Sequence, residues 1–420
     1  MSKGEVESDV VVVGGGIVGA CMTLALAKTG FKVTLLERNP PPLYIKNGPY
    51  GLRVSALNLS SQRLLQNLGV WDDIADTRVS AYHEMHVWDS VAQQTNIHFD
   101  CVDLQLDTLG HIVENDLIQS VLHAAISRHE NVSCNYGALI RQIETAGDSA
   151  IVTLQDGNLV AAQLILGADG ADSQVRGILG MEADRRSYRQ QGIVAVVEPE
   201  YPHKNTAWQI FLPTGPLAFL PLQSKRCSIV WSTSDAHAAE LLSLDDAEFG
   251  NRLTNAFERC LGKVGVCSER AAFPLQYMHA KQYTVPRAAL LGDAAHVVHP
   301  LAGQGVNLGL MDVAQLADVL LRARRRRCCL GSHKHLRQYE RTRKAHNQLM
   351  ALSFDGLKHL FATQVSPVVS IRNLGLQIVN RFQPAKRLFM EQAAGISGSL
   401  PPLALAPELY ALQDEHAIRI

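Results

Sequence analysis

Residues 9–37 read DVVVVGGGIVGACMTLALAKTGFKVTLLE, and the order of residue types in this stretch decides the fold. Val10 to Val13 form an unbroken β-branched run, which predicts a strand buried on both faces. Gly14, Gly16 and Gly19 follow at once in G-x-G-x-x-G spacing, CMTLALAKTG reads as a helix closing on Gly30, and FKVTLLE reads as a second strand. Each glycine has a task in such a βαβ unit. Gly14 permits the tight turn, Gly16 lets a pyrophosphate approach the backbone, and Gly19 lets the helix lie close to the sheet. Glu37, at the end of the second strand, can accept hydrogen bonds from a ribose 2′-OH and would repel a 2′-phosphate. The stretch therefore predicts a dinucleotide site. FAD and NAD share the adenosine half, so the fingerprint alone leaves both open.

Two later stretches favour the flavin. LVAAQLILGADGADSQVR, residues 159–176, predicts a strand ending at Gly167 with Asp169, Ser173 and Arg176 beyond it. AALLGDAAH, residues 288–296, predicts a second short strand ending in Gly292-Asp293. Ligands of open α/β sheets sit beyond the carboxyl ends of the strands, which places Asp169 and Asp293 as candidates beside the glycine turn. After Asp293, GQGVNLGLMDVAQLADVL carries apolar residues at 313, 316, 317 and 320, a helical spacing that begins near Gly305 to Asn307. The free N–H groups and positive end of that helix suit the negative charge of a reduced isoalloxazine, with Gly303 and Gly305 allowing close approach. Asp293 would accept a hydroxyl of the ribityl–phosphate portion, or else serve as an ordinary helix cap. His296 and His299 read either as groups that orient substrate or flavin, or as buried histidines bonded to backbone.

The chain has 420 residues with 47% hydrophobic and 19% charged side chains, enough for two or three globular domains. Lys+Arg 39 against Asp+Glu 40 gives a net charge of −1, so nothing attracts nucleic acid in general. The 8 cysteines form no C-x-x-C pair, which argues against a zinc site or a secreted disulfide framework and for a reducing compartment; no metal is expected. Residues 10–27 are apolar enough to span a membrane, but acidic MSKGEVESD precedes them and their glycines belong to the nucleotide turn.

Taken together, GGGIVG with Glu37, LRVSALN around Arg53, LGVWDDI, LGHIVEN, GADGADSQVR and GDAAHVVHPLAGQGVN resemble the aerobic ubiquinone-biosynthesis hydroxylases, which are group A FAD-dependent monooxygenases. The resemblance spans residues 8 to about 390. It implies an α/β chain of the p-hydroxybenzoate-hydroxylase type: a Rossmann-type FAD-binding domain, an antiparallel β-sheet substrate domain and C-terminal helices. It also implies noncovalent FAD, NAD(P)H as a transient reductant, and oxygen transfer from dioxygen to a phenolic ring. Gly14, Gly16, Gly19 and Glu37 would hold the ADP half, with Asp169 and Asp293 in the second and third motifs. Arg53 matches the flavin-adjacent arginine, and Pro300, Gly303, Gly305, Val306 and Asn307 would run along the isoalloxazine. Arg53, His299 and Pro300 are the expected catalytic positions. LGHIVEN, VSAYHEMHVWDS, SIVWS and AEFGNRLTNAF look most like the bacterial members that hydroxylate C5 of a 2-polyprenylphenol. Members acting at C1 or C6 share the flavin motifs, and a noncatalytic FAD-bound subunit of a biosynthetic complex is a further alternative.

Short β-rich runs at GIVAVVEP, AWQIFLPTG, LAFLPL and RCSIVWS predict the antiparallel sheet, joined by MHVW at 85–88. Trp208, Phe211, Phe219, Pro221 and Trp231 are candidates to line a pocket under it. The expected division is 1–80, 110–185 and 285–345 for FAD, 81–109 and 186–284 for substrate, and 346–420 for helices and a loosely ordered tail, SGSLPPLALAPEL. Pro367 and Pro384 predict breaks between amphipathic helices. RARRRRCCL, residues 322–330, reads as a solvated helix end or as a contact for anionic lipid or an acidic partner. The expected partners are a polyprenylated phenol, dioxygen, other ubiquinone-biosynthesis proteins and a second copy of the chain. The expected location is the cytoplasm, with peripheral contact at the inner membrane. A flavin halogenase would carry a W-x-W-x-x-P stretch, whereas the four Trp here stand apart at 71, 88, 208 and 231. A disulfide reductase would want a second GxGxxG and a redox C-x-x-C.

Overall fold

The computed structural model describes residues 8–91, 96–145, 147–299, 305–363 and 365–418. The Ser8–Val13 strand lies inside an eight-stranded sheet, with Val10, Val11 and Val12 wholly buried. It pairs in parallel with Val33–Glu37 on one side and Leu159–Gly167 on the other, and Ala288–Leu290 continues beyond the latter. The helix Ile17–Lys28 packs on this sheet, and Asn115–Ile126 and Gly305–Arg325 pack against that helix. That cover explains the continuous apolar runs, because a strand buried on both faces has no solvent side to mark with polar residues.

The register brings three strand ends level. Val13 stands opposite Gly167, and Gly167 opposite Leu290, so the glycine turn, the Asp169 loop and the Gly292-Asp293 turn leave the sheet side by side.

A second, nine-stranded sheet runs in the order His296–Val297, Ala271–Ala280, Ala183–Pro199, Cys227–Ser234, Gly215–Pro221, Thr206–Leu212, Glu84–Asp89 and Asn96–Asp100, with Val264–Val266 beside Ala183–Pro199. It is antiparallel except where Thr206–Leu212 and Glu84–Asp89 run parallel. Strand alternation divides its two faces. Trp208, Phe219 and Trp231 share one face with Ile193, Ile210 and Ile229, and pack on Leu241, Phe249, Leu253 and Phe257 of two helices. Gln209, Ala218 and Val230 alternate with them and face the first sheet's side. A small third sheet, Val54–Leu57, Gly110–Glu114 and Val79–Tyr82, lies beside both.

The C-terminal helices are His333–Ala362, Ser366–Arg381 and Gln383–Ala393. Pro367 and Pro384 sit in the first turn of the second and third, where a missing N–H breaks no helical bond. The tail departs from the expectation of loose order. Ala404 is wholly buried, Asn67 donates to the carbonyls of Leu403 and Leu405 at 3.0 Å each, and Pro407–Ile418 is helical. Leu400, Leu403 and Ala404 pack on the core, so this part of the tail is docked rather than a linker. Among the described residues, no helix is long and apolar enough to cross a membrane. The arginine run closes the Gly305–Arg325 helix: Arg322 pairs with Asp318 at 2.6 Å and Arg324 lies over the Phe31 ring at 4.4 Å.

Candidate active site

The glycine turn is as tight as its spacing requires. Gly14 adopts φ +100°, and a Cβ there would stand 2.4 Å from the Ala168 carbonyl oxygen. A Cβ on Gly19 would stand 1.9 Å from the Gly14 oxygen, so the helix could not seat against the turn. Gly16 differs: a Cβ there would meet nothing within 4 Å, which leaves room for a phosphate at the helix start. The Glu37 carboxylate accepts from the Gly15 and Asn39 N–H groups. His123 supports the turn from behind. Its Nε2 lies 2.7 Å from the Gly15 carbonyl, which can only accept, so Nε2 carries the proton and Nδ1 accepts from the Tyr136 hydroxyl at 3.0 Å.

The second motif works through its backbone. The Asp169 carboxylate accepts from the Ser173 hydroxyl at 2.6 Å and the Val175 N–H at 3.1 Å, so both oxygens serve their own loop. Arg176 is buried and donates to the Ala171 and Ala294 carbonyls at 2.7 Å each, stapling this loop to the Gly292-Asp293 turn.

Between these turns and the second sheet lies a cavity of about 530 Å³. Arg53, Asp293, Gly305 and Val306 line one side, with Gly170 and Ala171 near them. Val194, Gln209, Ala218, Leu220, Ser228, Val230 and Ser232 line the other. None of Trp208, Phe211, Phe219, Pro221 and Trp231 borders it. Trp208, Phe219 and Trp231 fill the far face of the sheet, and Phe211 is drawn off into a separate cluster where it stacks on Phe361 at 3.9 Å. The Asp293 side chain has open surface, but it borders the cavity, and the surrounding protein keeps the carboxylate from bulk water. Burial consequently raises its pKa, while His296 and Arg53 pull it back. It accepts no hydrogen bond from a described residue. The Arg53 guanidinium likewise makes no hydrogen bond or ion pair with a described residue.

The Gly305–Arg325 helix starts where the sequence places it, and its first residues face the cavity. Asn307 does not reach the cavity with its side chain. It accepts from the Asn58 N–H at 3.1 Å and the Ser61 hydroxyl at 2.7 Å, and donates to the Ala56 carbonyl at 2.8 Å. One turn later Asp312 is fully buried. It accepts from the Gly292 N–H at 3.0 Å, His296 Nε2 at 2.6 Å, Arg343 Nε at 2.7 Å and Asn347 Nδ2 at 3.1 Å. Burial would raise its carboxyl, but His296 and Arg343 outweigh that and hold it well below the carboxylate range. Sequence reading missed this network. Its trace is one acid on the buried face of an apolar helix, with Arg343 and Asn347 spaced by four on another.

His299 stands apart. Its imidazole is wholly buried, lies edge-on to Tyr188 at 5.2 Å, does not line the cavity, and has no hydrogen-bond partner among the described residues. Burial, then Lys358, brings its pKa down to about 4. Pro300 and Gly303 lie outside the described residues.

These residues fit a dinucleotide with a flavin end. The turn leaves open space at Gly16, a carboxylate and a guanidinium that make no hydrogen bond with a described residue face one cavity, and a 21-residue helix directs its N-terminus there.

Comparison with known proteins agrees. A family model described as an FAD binding domain matches residues 7–352. The chain is 36% identical over 389 residues to the 3-demethoxyubiquinol 3-hydroxylase of Escherichia coli, covering 93% of this chain and 99% of that protein. It is 37% identical over 438 residues to the mitochondrial ubiquinone biosynthesis monooxygenase COQ6 of Rattus norvegicus, covering 92% and 90%. Among solved structures, p-nitrophenol 4-monooxygenase PnpA of Pseudomonas putida superposes with a TM-score of 0.75 at 20% identity, over 93% of this chain and 98% of that one. At that identity the likeness speaks for the fold.

Proposed function

Since the chain belongs to the FAD-dependent monooxygenases, in the family of the ubiquinone-biosynthesis hydroxylases, we propose that it hydroxylates a polyprenylated phenol on the route to ubiquinone, at C5 of a 2-polyprenylphenol. The observation that carries this reading is the cavity that places Asp293, Arg53 and a helix N-terminus opposite a largely apolar sheet face. Bound noncovalently, FAD would take two electrons from NAD(P)H and deliver one oxygen atom of dioxygen to the ring, the other leaving as water.

The chain's own residues supply binding, orientation and dryness. Gly14, Gly16, Gly19 and Glu37 hold the adenosine and pyrophosphate portion. Asp169 acts indirectly, by fixing the loop whose Gly170 borders the cavity. Asp293 accepts a ribityl hydroxyl, and the Gly305 and Val306 N–H groups, with Arg53, stabilise negative charge on the ring system. Asn307 holds that helix start in place. Val194, Ala218, Leu220 and Val230 exclude water, which an oxygen-transferring site requires. Ser228, whose buried hydroxyl has no partner among the described residues, is positioned to meet a polar ring substituent. We assign Arg53 rather than His299 to direct contact, because only Arg53 borders the cavity.

The eight-stranded sheet supports 1–80, 110–185 and 285–345 as the cofactor domain, and the nine-stranded sheet supports 81–109 and 186–284 as the substrate domain. The Ala183–Pro199 strand straddles that boundary. A prenyl tail is insoluble, each buried CH₂ being worth about 0.8 kcal/mol, so substrate comes from a membrane or a lipid-binding partner. Exposed Ile371, Leu374, Phe382, Leu388 and Phe389 on the C-terminal helices suit peripheral contact there.

A second ring position has one observation in its favour. The E. coli relative, at nearly the same identity as COQ6, is named for a 3-demethoxyubiquinol. The test is the FAD-loaded protein with NADH, ¹⁸O₂ and short-chain prenylated phenols. Incorporation of one labelled atom at C5 supports the proposal, insertion at another carbon moves the position, and label from water rejects oxygen transfer.

A further inference from the structure

On the face of the nine-stranded sheet turned away from the cavity, three ligand-type side chains meet. Glu84 and His86 are two residues apart on the Glu84–Asp89 strand and so project to one side, and His98 stands opposite His86 in the antiparallel register of Asn96–Asp100. Glu84 Oε2 lies 2.8 Å from His98 Nε2 and 3.6 Å from His86 Nε2, and one ligand atom from each residue falls within 4.8 Å of the others. With metal–ligand bonds of about 2.0–2.2 Å, the ligand atoms of a tetrahedral site stand roughly 3.3–3.6 Å apart.

The surroundings favour an ion over a bare hydrogen bond. Trp208 stacks on the His86 ring at 4.6 Å and the His98 ring lies 4.2 Å from it on the edge strand, so His86 is held in a fixed plane. All three side chains are between a quarter and two-fifths exposed, which admits an ion from solvent and leaves space for water as the remaining ligand. Without an ion, the group amounts to one part-exposed His–Glu contact, worth little, and a second imidazole left at 3.6 Å. The cysteine spacing that argues against zinc says nothing of a set built from histidine and glutamate.

We propose that Glu84, His86 and His98 form a three-ligand site for a borderline divalent transition-metal ion, Zn²⁺ by ligand preference, which clamps the two outermost strands together. The site is separate from the FAD cavity. His86 meets Trp208, whereas the neighbouring Gln209 borders the cavity on the opposite face.

The test is calorimetric titration of the chelator-treated, FAD-loaded protein with Zn²⁺, repeated with Co²⁺ as an optical probe. The wild type should take up one ion per chain and melt at a higher temperature with it. H86A, H98A and E84Q should each weaken uptake by at least the roughly 10–100-fold that loss of an outer-shell partner costs, while keeping their flavin. H98Q guards against a packing effect, since it preserves bulk but offers no imidazole. Absence of saturable uptake by the wild type, or equal uptake by the H86A/H98A double variant, overturns the site.

Discussion

Asp312 Oδ2 lies 2.6 Å from His296 Nε2, and both groups are buried directly beneath the turn that presents Asp293 to the cavity. The same carboxylate carries Arg343 on its other oxygen. Removing one member of a buried charged set leaves the others uncompensated, at a cost of about 3–5 kcal/mol. D312N should therefore melt well below the wild type and bind FAD more weakly, because the Gly292 N–H loses a charged acceptor as well. A melting curve with and without added FAD checks this. A wild-type melting temperature would remove the network from the account.

Asp293 makes the contrasting case. Its carboxylate has no described protein partner to lose, so D293A should keep the fold of the apoprotein. An unpaired polar group costs about 1–3 kcal/mol, equivalent to roughly tenfold to a hundredfold in affinity. Fluorescence titration of the apoprotein should show FAD binding weakened by that factor. Unchanged affinity would mean that the carboxylate does not touch the cofactor.

Arg53 should matter for turnover more than for retention of FAD. Its guanidinium makes no hydrogen bond or ion pair with a described residue, so R53A should fold and bind flavin while NADH-driven reduction slows. Stopped-flow absorbance of the flavin reads this directly. A normal reduction rate together with normal product yield would place Arg53 outside the chemistry.

Acid should weaken the protein in a defined window. Burial brings His279 and His299 down to about 4, against about 6.5 for an unfolded histidine. Between those values the unfolded chain binds protons that the folded chain refuses, so stability falls as pH drops from about 6.5 toward 4 and levels below that. H299L should flatten the slope of melting temperature against pH across this window. An unaltered slope would show that His299 finds a proton acceptor after all.

Membrane contact can be resolved by flotation with liposomes. The apolar side chains of the C-terminal helices predict binding that survives high salt, and L388S/F389S should reduce it. Reversing the charges of Arg325 to Arg327 should matter only on anionic vesicles at low salt. If neither change alters flotation, substrate reaches the site by another route.

The cofactor side of the fold was legible because its signals are local. Strand, turn, helix and terminal Glu37 occupy 29 consecutive residues, and the ends at Gly167 and Leu290 repeat the pattern. The substrate side was legible only as strands. Alternation separates Trp208 from Gln209, but both faces of this sheet are buried, so hydrophobicity could not say which one borders the cavity. Asp169 and Asn307 were found by motif, yet the Asp169 side chain serves its own loop and the Asn307 side chain is held by partners about 250 positions away. Arg343 and Asn347 left no motif, since their meaning comes from Asp312, over thirty residues earlier.

The tether from Asn307 to Ala56, Asn58 and Ser61 spans about 250 positions of sequence. It means that the nucleotide turn, though written in the first twenty residues, is not a working site when it leaves the ribosome. Its sheet lacks the Ala288–Leu290 strand, and its floor lacks Arg343 and Asn347, until most of the chain has been synthesised. Pairings of such long separation form late and slowly. Flavin capture is thus a closing event of biogenesis, and a fragment ending before Asn347 should emerge colourless.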